Sequence, residues 1–134
     1  MGIEAGLKGE WSLTVTEDMT AKAIESEMSD VFSTPRLVTL FEKTAMVSVH
    51  PLLEEGQSTV GTAVNITHDA ATPVGMKVRC ESELIEVDGR RLVFKVEAFD
   101  EKGHIGGGTH ERFIIDIDKF QKKADAKRLQ HAEN

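Results

Sequence analysis

The spacing of apolar and polar residues along the chain predicts five β-strands. Residues 10–17 alternate apolar and polar side chains, which is the pattern of a strand with one buried face. Turn residues at Asp88-Gly89 and Gly103 separate the last three strands, which are therefore expected to pair as antiparallel hairpins. The other predicted strands cover 58–68, 76–87, 91–99 and 104–117, and the last is expected to turn Phe113, Ile115 and Ile117 inward.

One long helix is predicted between the first and second strands. Thr34 can cap it through its hydroxyl, and Pro35 suits the first helical position because its missing N–H would have no partner there. The helix is expected to run from Pro35 to about Val49. Apolar residues lie around most of its circumference, so it should be buried on several sides. The simplest packing is an α+β fold in which an antiparallel sheet wraps around this central helix, as one domain over 1–134.

Two segments fall outside this pattern. Residues 18–33 are polar without a clear period, and they are expected to lie over the surface as a flap. Residues 118–134 are charged and rich in lysine. They are expected to form a short helix or a solvated tail rather than a partner-binding surface.

Composition narrows the function classes. The net charge of −7 argues against a general nucleic-acid binder, and no apolar run approaches the roughly 20 residues of a membrane span. The N-terminus has no basic segment followed by an apolar one, so no signal peptide is expected. Cys80 is the single cysteine and cannot form an intrachain disulfide, which suits a reducing compartment. We therefore expect a cytoplasmic protein without nucleic-acid or membrane partners.

A carboxylate within the predicted helix is the first candidate for chemistry. Glu42 has mostly apolar neighbours one turn away, and only Thr39 among them is polar. A buried carboxylate is destabilising unless it is paired or functional, and burial would suit it to act as a general base. The pattern alone leaves open whether Glu42 works in this way or lies on an exposed edge of the helix.

His68 is the second candidate. It ends a predicted strand just before a turn-like segment, where a histidine can act as an acid, a base or a proton donor. An ordinary surface histidine gives the same pattern. No histidine or cysteine spacing matches a zinc site, and His110 and Glu111 point to opposite faces of their strand, so no metal is expected.

Gly106-Gly107-Gly108 is unusual within a strand. Such a run marks either a sharp bulge or a channel for a ligand. No Lys-Ser or Lys-Thr follows it, so it is not a phosphate loop. Cys80 lies mid-strand on the apolar face, and it is expected in the core rather than as a nucleophile.

Several short motifs, in their order and spacing, resemble the fluoroacetyl-CoA thioesterase family. The matching runs, within about residues 28–118, are Val31-Phe-Ser-Thr34, Glu42, Gly61-Thr-Ala-Val-Asn-Ile-Thr-His68-Asp-Ala-Ala-Thr-Pro73, Val87-Asp-Gly-Arg-Arg91 and Gly108-Thr-His-Glu-Arg112. The resemblance implies a hot-dog fold, a homodimer, and hydrolysis of acyl-CoA thioesters without a metal. It implies no cofactor beyond the coenzyme A of the substrate.

The resemblance also assigns residues. The catalytic threonine, glutamate and histidine of the family match Thr34, Glu42 and His68. A glycine near the thioester matches Gly61, and an arginine associated with the site matches Arg112.

The residues at the lid positions of the family differ in this chain. The phenylalanines that cover the fluorinated acyl group correspond here to Met28 and to Glu25, or to Ile24 if the alignment slips by one residue. None of these is aromatic. Thioester hydrolysis is still implied, whereas selectivity for the fluoroacetyl group is not.

Together these observations predict an acyl-CoA thioesterase for a short-chain acyl-CoA, with Glu42 as base or nucleophile and Thr34 and His68 assisting. The alternatives are a non-catalytic acyl-CoA-binding or sensing module on the same fold, and a hot-dog hydratase. Thr34 and Glu42 are about 12 Å apart along the helix, too far for joint work on one carbonyl. Either they meet across the interface of a two-fold dimer, or Thr34 is only a helix cap.

Overall fold

Five strands form one antiparallel sheet, and a long helix packs across it. The computed structural model describes residues 2–133. The sheet order is β1-β3-β4-β5-β2, so β1 and β2 are its edges. All neighbouring strands are antiparallel, which confirms the predicted α+β architecture. The strands are β1 (Lys8–Thr14), β2 (Gln57–His68), β3 (Lys77–Asp88), β4 (Arg91–Asp100) and β5 (Gly103–Asp116).

Three α-helices accompany the sheet in the described chain, and the sequence predicts the second and third of them. They are α1 (Ala21–Ile24), α2 (Thr34–Val49) and α3 (Ile117–Glu133), with 3₁₀ turns at Glu17–Met19 and His50–Leu52. Helix α2 is the central helix; it contacts all five strands, β1 and β3 most extensively. Helix α3 covers the charged C-terminal stretch, in agreement with the helical alternative. Within the described residues, none of the helices has the length and apolar character needed to cross a membrane.

Helix α2 begins one residue earlier than predicted, and Ser33 caps it instead of Thr34. Ser33 Oγ accepts a hydrogen bond from the Arg36 N–H at 3.3 Å, and the Ser33 backbone is extended, as in most caps. Pro35 follows as the second helical residue, where a missing N–H is harmless. The Thr34 hydroxyl is therefore not engaged in capping, which contradicts the interpretation of Thr34 as a cap alone.

The core lies between α2 and the inner face of the sheet. Burying one leucine or phenylalanine stabilises a fold by about 1.5–3 kcal/mol, so this layer fixes the position of α2. The predicted inward faces of β3, as far as Leu84, and of β4 are confirmed. The buried apolar residues of these elements are Leu37, Leu40, Phe41, Ala45, Val49, Val78, Cys80, Leu84, Leu92, Phe94, Val96 and Ala98.

The predicted inner face of β5 is wrong. Phe113 is 40% exposed and Ile117 is 47% exposed, whereas His110 is 0% and Arg112 is 6% exposed. Alternation shows which residues share a face, and the apolar set is normally the buried one. Here the polar pair is buried because it finds hydrogen-bond partners inside the fold.

Residues 18–33 fold back on themselves as the predicted flap. The Ala21 N–H donates to the Val31 carbonyl at 2.8 Å and closes the base of the flap. Phe32 is buried there as an apolar anchor, while residues 22–30 are exposed. The flap therefore has a fixed base and a solvated tip.

Candidate active site

The start of α2 meets the end of β2 through two polar side chains. Thr34 Oγ1 lies 2.8 Å from His68 Nδ1. Beside them is a cavity of about 250 Å³ lined by flap residues and by the segment after β2, namely Ala21, Val31, Phe32, Ser33, Thr34, His68, Asp69, Ala70 and Ala71. Thr34 is the first helical residue, so its backbone N–H lies at the positive end of the helix dipole.

His68 is held as a neutral imidazole. Burial lowers the pKa of His68 below its ordinary value, and the Asp69 charge and the Ala70 carbonyl only partly oppose this. Its Nε2 atom is buried and has no hydrogen-bond partner within the described chain. A neutral imidazole bonded to a hydroxyl can take up or deliver a proton, which is the chemistry expected of an acid or base.

Glu42 points from the middle of α2 toward Gly61 of β2. It is half-buried, so it does not lie on a fully exposed edge of the helix. A Cβ atom placed on Gly61 would lie 2.9 Å from Glu42 Oε2, so a larger residue at this position would displace the Glu42 carboxylate. In the described chain, Glu42 makes neither a hydrogen bond nor an ion pair. Its carboxylate oxygens are therefore free to meet water or a substrate.

Arg112 places a fixed, buried positive charge beside this carboxylate. Its Nε donates to Thr59 Oγ1 at 2.8 Å, and its Nη2 donates to the Thr59 carbonyl at 2.9 Å. Its Nη1 lies 3.2 Å from His110 Nε2 and 3.4 Å from the position of a Cβ on Gly61. Burial lowers the pKa of Arg112, and the charge of Glu42 raises it, which places the two charges in one local field.

The predicted site residues therefore form two separate groups within one chain. Thr34 contacts His68, and Glu42 lies with Gly61 and Arg112. The two groups are about 12 Å apart along α2 and about 23 Å apart along β2. One chain by itself does not bring its threonine and glutamate to the same carbonyl.

Met28 is the one predicted site residue that stands apart from both groups. It lies at the tip of the flap, where it is 53% exposed, and the lining of the cavity at Thr34 does not include it. Ile24 is also exposed, at 60%. The flap contributes Ala21 and Val31 to the cavity instead.

Two other sequence signals have structural explanations. A Cβ on Gly106 would lie 2.3 Å from the Thr67 carbonyl, and one on Gly108 would lie 2.2 Å from the Asn65 carbonyl. Close approach of β2 therefore requires glycine at positions 106 and 108, and the pairing of β4 with β5 shifts beside Gly106, which favours the bulge interpretation. Cys80 is fully buried as predicted, and burial raises the pKa of its thiol to about 11.

Sequence reasoning missed two residues of the site. His110 and Thr59 are both buried, and both bind Arg112. The available signal was the two-residue spacing of His110 and Arg112, which places them on one face of β5. Across the residues that the structure describes, there is no group of three or more His, Cys, Asp or Glu side chains placed to hold a metal ion.

Comparisons with a family model and with known proteins lead to the same family. The model of the fluoroacetyl-CoA-specific thioesterase family matches residues 15–118. A fluoroacetyl-CoA thioesterase of Streptantibioticus cattleyicolor is 43% identical over 102 residues, which are 76% of this chain and 73% of that protein. The family model covers the segment from the flap to the end of β5, where both groups of site residues lie.

Solved structures agree with this fold. A structure of the fluoroacetyl-CoA thioesterase FlK superposes with a TM-score of 0.90 at 36% identity, covering 95% of this chain and 98% of that one. A Thermus thermophilus member of the thioesterase superfamily superposes with a TM-score of 0.91 at 28% identity, covering 98% of both chains. The fold is therefore the hot-dog fold.

Proposed function

Because the chain belongs to the fluoroacetyl-CoA-specific thioesterase family, we propose that it hydrolyses a short-chain acyl-CoA to the free acid and coenzyme A. The observation that carries this proposal is the Glu42 carboxylate, which lies against Gly61 and has no hydrogen-bond partner among the described residues. The named relative acts on fluoroacetyl-CoA, a thioester of a two-carbon acid, which supports a short acyl group. The reaction needs neither a metal nor a cofactor, since coenzyme A enters as part of the substrate.

Glu42 has two chemical routes to the thioester. As a general base it removes a proton from water, which then attacks the carbonyl carbon. As a nucleophile it attacks the carbonyl itself, and water then hydrolyses the anhydride that results. Arg112 supports either route, because its fixed positive charge lies in the same local field as the Glu42 carboxylate and attracts it.

The start of α2 is suited to stabilise the oxyanion. Pro35 has no N–H, and the Arg36 and Leu37 N–H groups bond to Ser33 Oγ and to the Ser33 carbonyl. The Thr34 N–H is then left for the developing negative charge, which the helix dipole also stabilises. His68, which bonds to the Thr34 hydroxyl, can relay to the departing thiolate the proton that Glu42 takes from water.

A homodimer formed through β2 would unite the two groups of residues. Strand β2 is a sheet edge of 12 residues that carries no Asp, Glu, Lys or Arg, and residues 61–65 are exposed. A long uncharged edge is a template for pairing with another strand, and Val64 adds an exposed apolar side chain, at 39%. Strand β1, the other edge, has 7 residues and carries Lys8 and Glu10.

Two-fold symmetry sets the register of such a pairing. Gly61 and His68 are equally distant in sequence from the Val64–Asn65 bond. If the symmetry axis passes there, antiparallel pairing brings Gly61 of one chain opposite the partner's His68. Glu42 and Arg112 would then share one thioester with the partner's Thr34 and the partner's His68.

The decisive experiment is thioester hydrolysis, measured with a panel of acyl-CoAs of increasing chain length and detection of the free thiol. We expect turnover of the short thioesters, and a loss of at least about a hundredfold in kcat for Glu42→Gln, the usual scale for a general base. Glu54→Gln, on the exposed turn after α2, is the matched control and should retain full activity.

The alternative functions give different results in the same assay. A non-catalytic acyl-CoA-binding module would bind the thioesters and release no thiol. A hydratase would convert an enoyl-CoA to a hydroxyacyl-CoA, also without free thiol. Wild-type turnover in Glu42→Gln would remove Glu42 from the mechanism even if hydrolysis occurs.

A further inference from the structure

His110 is a fully buried histidine that the proposed reaction does not use. It is 0% exposed on the inner face of β5, and its ring stacks on Phe94 of β4 at a centroid distance of 6.4 Å. A buried imidazole is destabilising unless its ring nitrogens are hydrogen-bonded. Both nitrogens of His110 have partners, and those partners connect it with the site.

The partners of His110 determine which nitrogen carries the proton. Arg112 Nη1, at 3.2 Å from Nε2, can only donate, so Nε2 must be an acceptor without a proton. The Ala63 carbonyl, at 2.9 Å from Nδ1, can only accept, so Nδ1 must carry the proton. Both bonds form together only when His110 is neutral and protonated on Nδ1.

These bonds cross the irregular part of the sheet at the candidate site. The pairing of β2 with β5 shifts between Gly61 and Ala63. His110 binds the β2 backbone at Ala63, just after this shift, and Arg112 binds it at Thr59, just before. Because His110 and Arg112 also bond to each other, the two side chains together hold the β2 backbone on both sides of Gly61.

His110 supplies the third hydrogen bond of Arg112. The Nε and Nη2 groups of Arg112 bond to Thr59, and the Nη1 group next to Gly61 bonds to His110. None of these three acceptors is charged, and the guanidinium charge is left to act on Glu42. Because the guanidinium is planar, loss of the acceptor at residue 110 would leave a buried N–H without that partner and weaken the hold on the whole group.

We propose that His110 is a positioning residue for thioester hydrolysis: a neutral imidazole, protonated on Nδ1, that helps to hold Arg112 beside Glu42 and braces the strand at Gly61. The role in hydrolysis rests on the proposed function, whereas the protonation state follows from the contacts alone. His110 itself touches no substrate in this arrangement. Its effect passes through the placement of the Arg112 charge.

Burial and the Arg112 charge favour the neutral form of His110. Arg112 lies on the same face of β5, whereas Glu42 on α2 and Glu111 on the opposite face of β5 act the other way and raise the pKa of His110. Strands β2 and β4 pack against it with uncharged groups, such as Ala63 and Phe94. Protonation would place an N–H opposite the Arg112 N–H, which replaces an attraction by a repulsion; burial and the Arg112 charge both keep the pKa of His110 low.

The first test is a spectroscopic measurement on the wild-type protein. Long-range ¹H–¹⁵N correlation spectra of the histidine side chains report which ring nitrogen carries a proton. We expect His110 to be protonated on Nδ1 and bare on Nε2 at neutral pH, and to titrate only below the ordinary histidine pKa. A proton on Nε2, or titration at the ordinary pKa, would overturn the proposal without any reference to activity.

The second test separates positioning from packing. His110→Phe keeps the ring and the contact with Phe94 but removes both hydrogen bonds, whereas His110→Gln can accept from Arg112 and donate to Ala63 without titrating. We expect kcat to fall about tenfold or more for the phenylalanine variant with KM within about threefold, and the glutamine variant to stay within about threefold in kcat. His104→Phe, exposed on the same strand, is the matched control.

The outcomes are distinct. Wild-type kcat in His110→Phe, or equal losses in the glutamine and phenylalanine variants, would refute the positioning role. If His110→Phe does not fold, the spectra and the glutamine variant still decide the proposal. A wild-type protein without thioesterase activity refutes the proposed function, and the positioning role with it, while the spectra still test the protonation state.

Discussion

Thr34 Oγ1 and His68 Nδ1 lie 2.8 Å apart, although 34 residues separate them in the chain. One belongs to the first turn of α2 and the other to the last residue of β2. The contact exists because β2 ends where α2 begins, on the inner side of the flap. It gives both residues a partner that no local pattern indicates, and it ties a hydroxyl at a helix start to a neutral imidazole.

The first prediction separates the roles of the two hydroxyls at the start of α2. Ser33→Ala should lower the free energy of unfolding by about 1 kcal/mol, because Ser33 is the cap. Thr34→Val keeps the shape and removes the hydroxyl, so kcat should fall about tenfold or more. Urea unfolding and thiol-release assays on both variants check this. If Thr34→Val stays active but loses the stability that a helix cap provides, Thr34 rather than Ser33 would be the cap.

A second prediction concerns glycines with different surroundings. A Cβ on Gly61 would press on Glu42 Oε2, the end of a flexible side chain, so Gly61→Ala should fold normally and lose about tenfold or more in kcat. A Cβ on Gly106 would meet the rigid Thr67 carbonyl, so Gly106→Ala should be destabilised by about 1–3 kcal/mol. Thermal unfolding and kinetics measure both effects. Full activity in Gly61→Ala would show that the position of Glu42 is unimportant.

The third prediction is that each active site is shared between two chains. Thr34→Ala and Glu42→Gln proteins should each be nearly inactive alone. Unfolding them together and refolding should restore about a quarter of wild-type activity, because about half of the dimers are mixed and each mixed dimer has one intact site.

The controls for this experiment are simple. Each variant refolded with itself should remain inactive, and native mass spectrometry should verify that mixed dimers form. Verified mixed dimers that stay inactive would contradict the shared site and require Thr34 and Glu42 to act within one chain.

The fourth prediction concerns the acyl group. Met28 at the tip of the flap is flexible and exposed, and it adapts to acyl groups of different shape. The kcat/KM values for acetyl-CoA and fluoroacetyl-CoA should therefore be similar, and Met28→Phe should shift the ratio toward the fluorinated substrate. A competition assay with both thioesters measures the ratio. A strong preference of the wild type for fluoroacetyl-CoA would show that an aromatic lid is not needed for selectivity.

The last prediction is a loss of stability at low pH. Burial lowers the pKa of His110 from its ordinary 6.5, and the pKa of His68 is lowered as well. Below about pH 6.5 the unfolded chain binds protons that the folded chain does not, so the free energy of unfolding falls as the pH falls. The loss continues until the pH reaches the lowered pKa of the folded state.

His110→Gln isolates the part of this effect that belongs to His110. Its unfolding free energy should fall less steeply with acidification than that of the wild type, by at most about 1.4 kcal/mol per pH unit. Urea unfolding between about pH 7.5 and pH 5.5 measures the two slopes. Equal slopes would mean that His110 titrates alike in both states.

The sequence by itself determined the order of the elements and most of the core. Alternation located every strand to within a few residues, because an antiparallel sheet packed on one side must place apolar side chains at every second position. The Thr34-Pro35 pair located the start of α2 to within one residue, since few residues can begin a helix in this way. The motif order from Val31 to Arg112 gave the family, which the comparisons confirm.

The tertiary structure alone decided how the polar residues are used. Periodicity assigned Phe113 to the interior and gave no role to His110, and the sequence placed the helix cap at Thr34, where the structure has Ser33. An apolar side chain is buried because burial removes its own surface from water. A polar side chain is buried only where the fold supplies hydrogen-bond partners. His110 bonds to Ala63, and Thr34 bonds to His68. Both of these partners lie on β2, 47 and 34 residues away in the chain, so only folding brings them together.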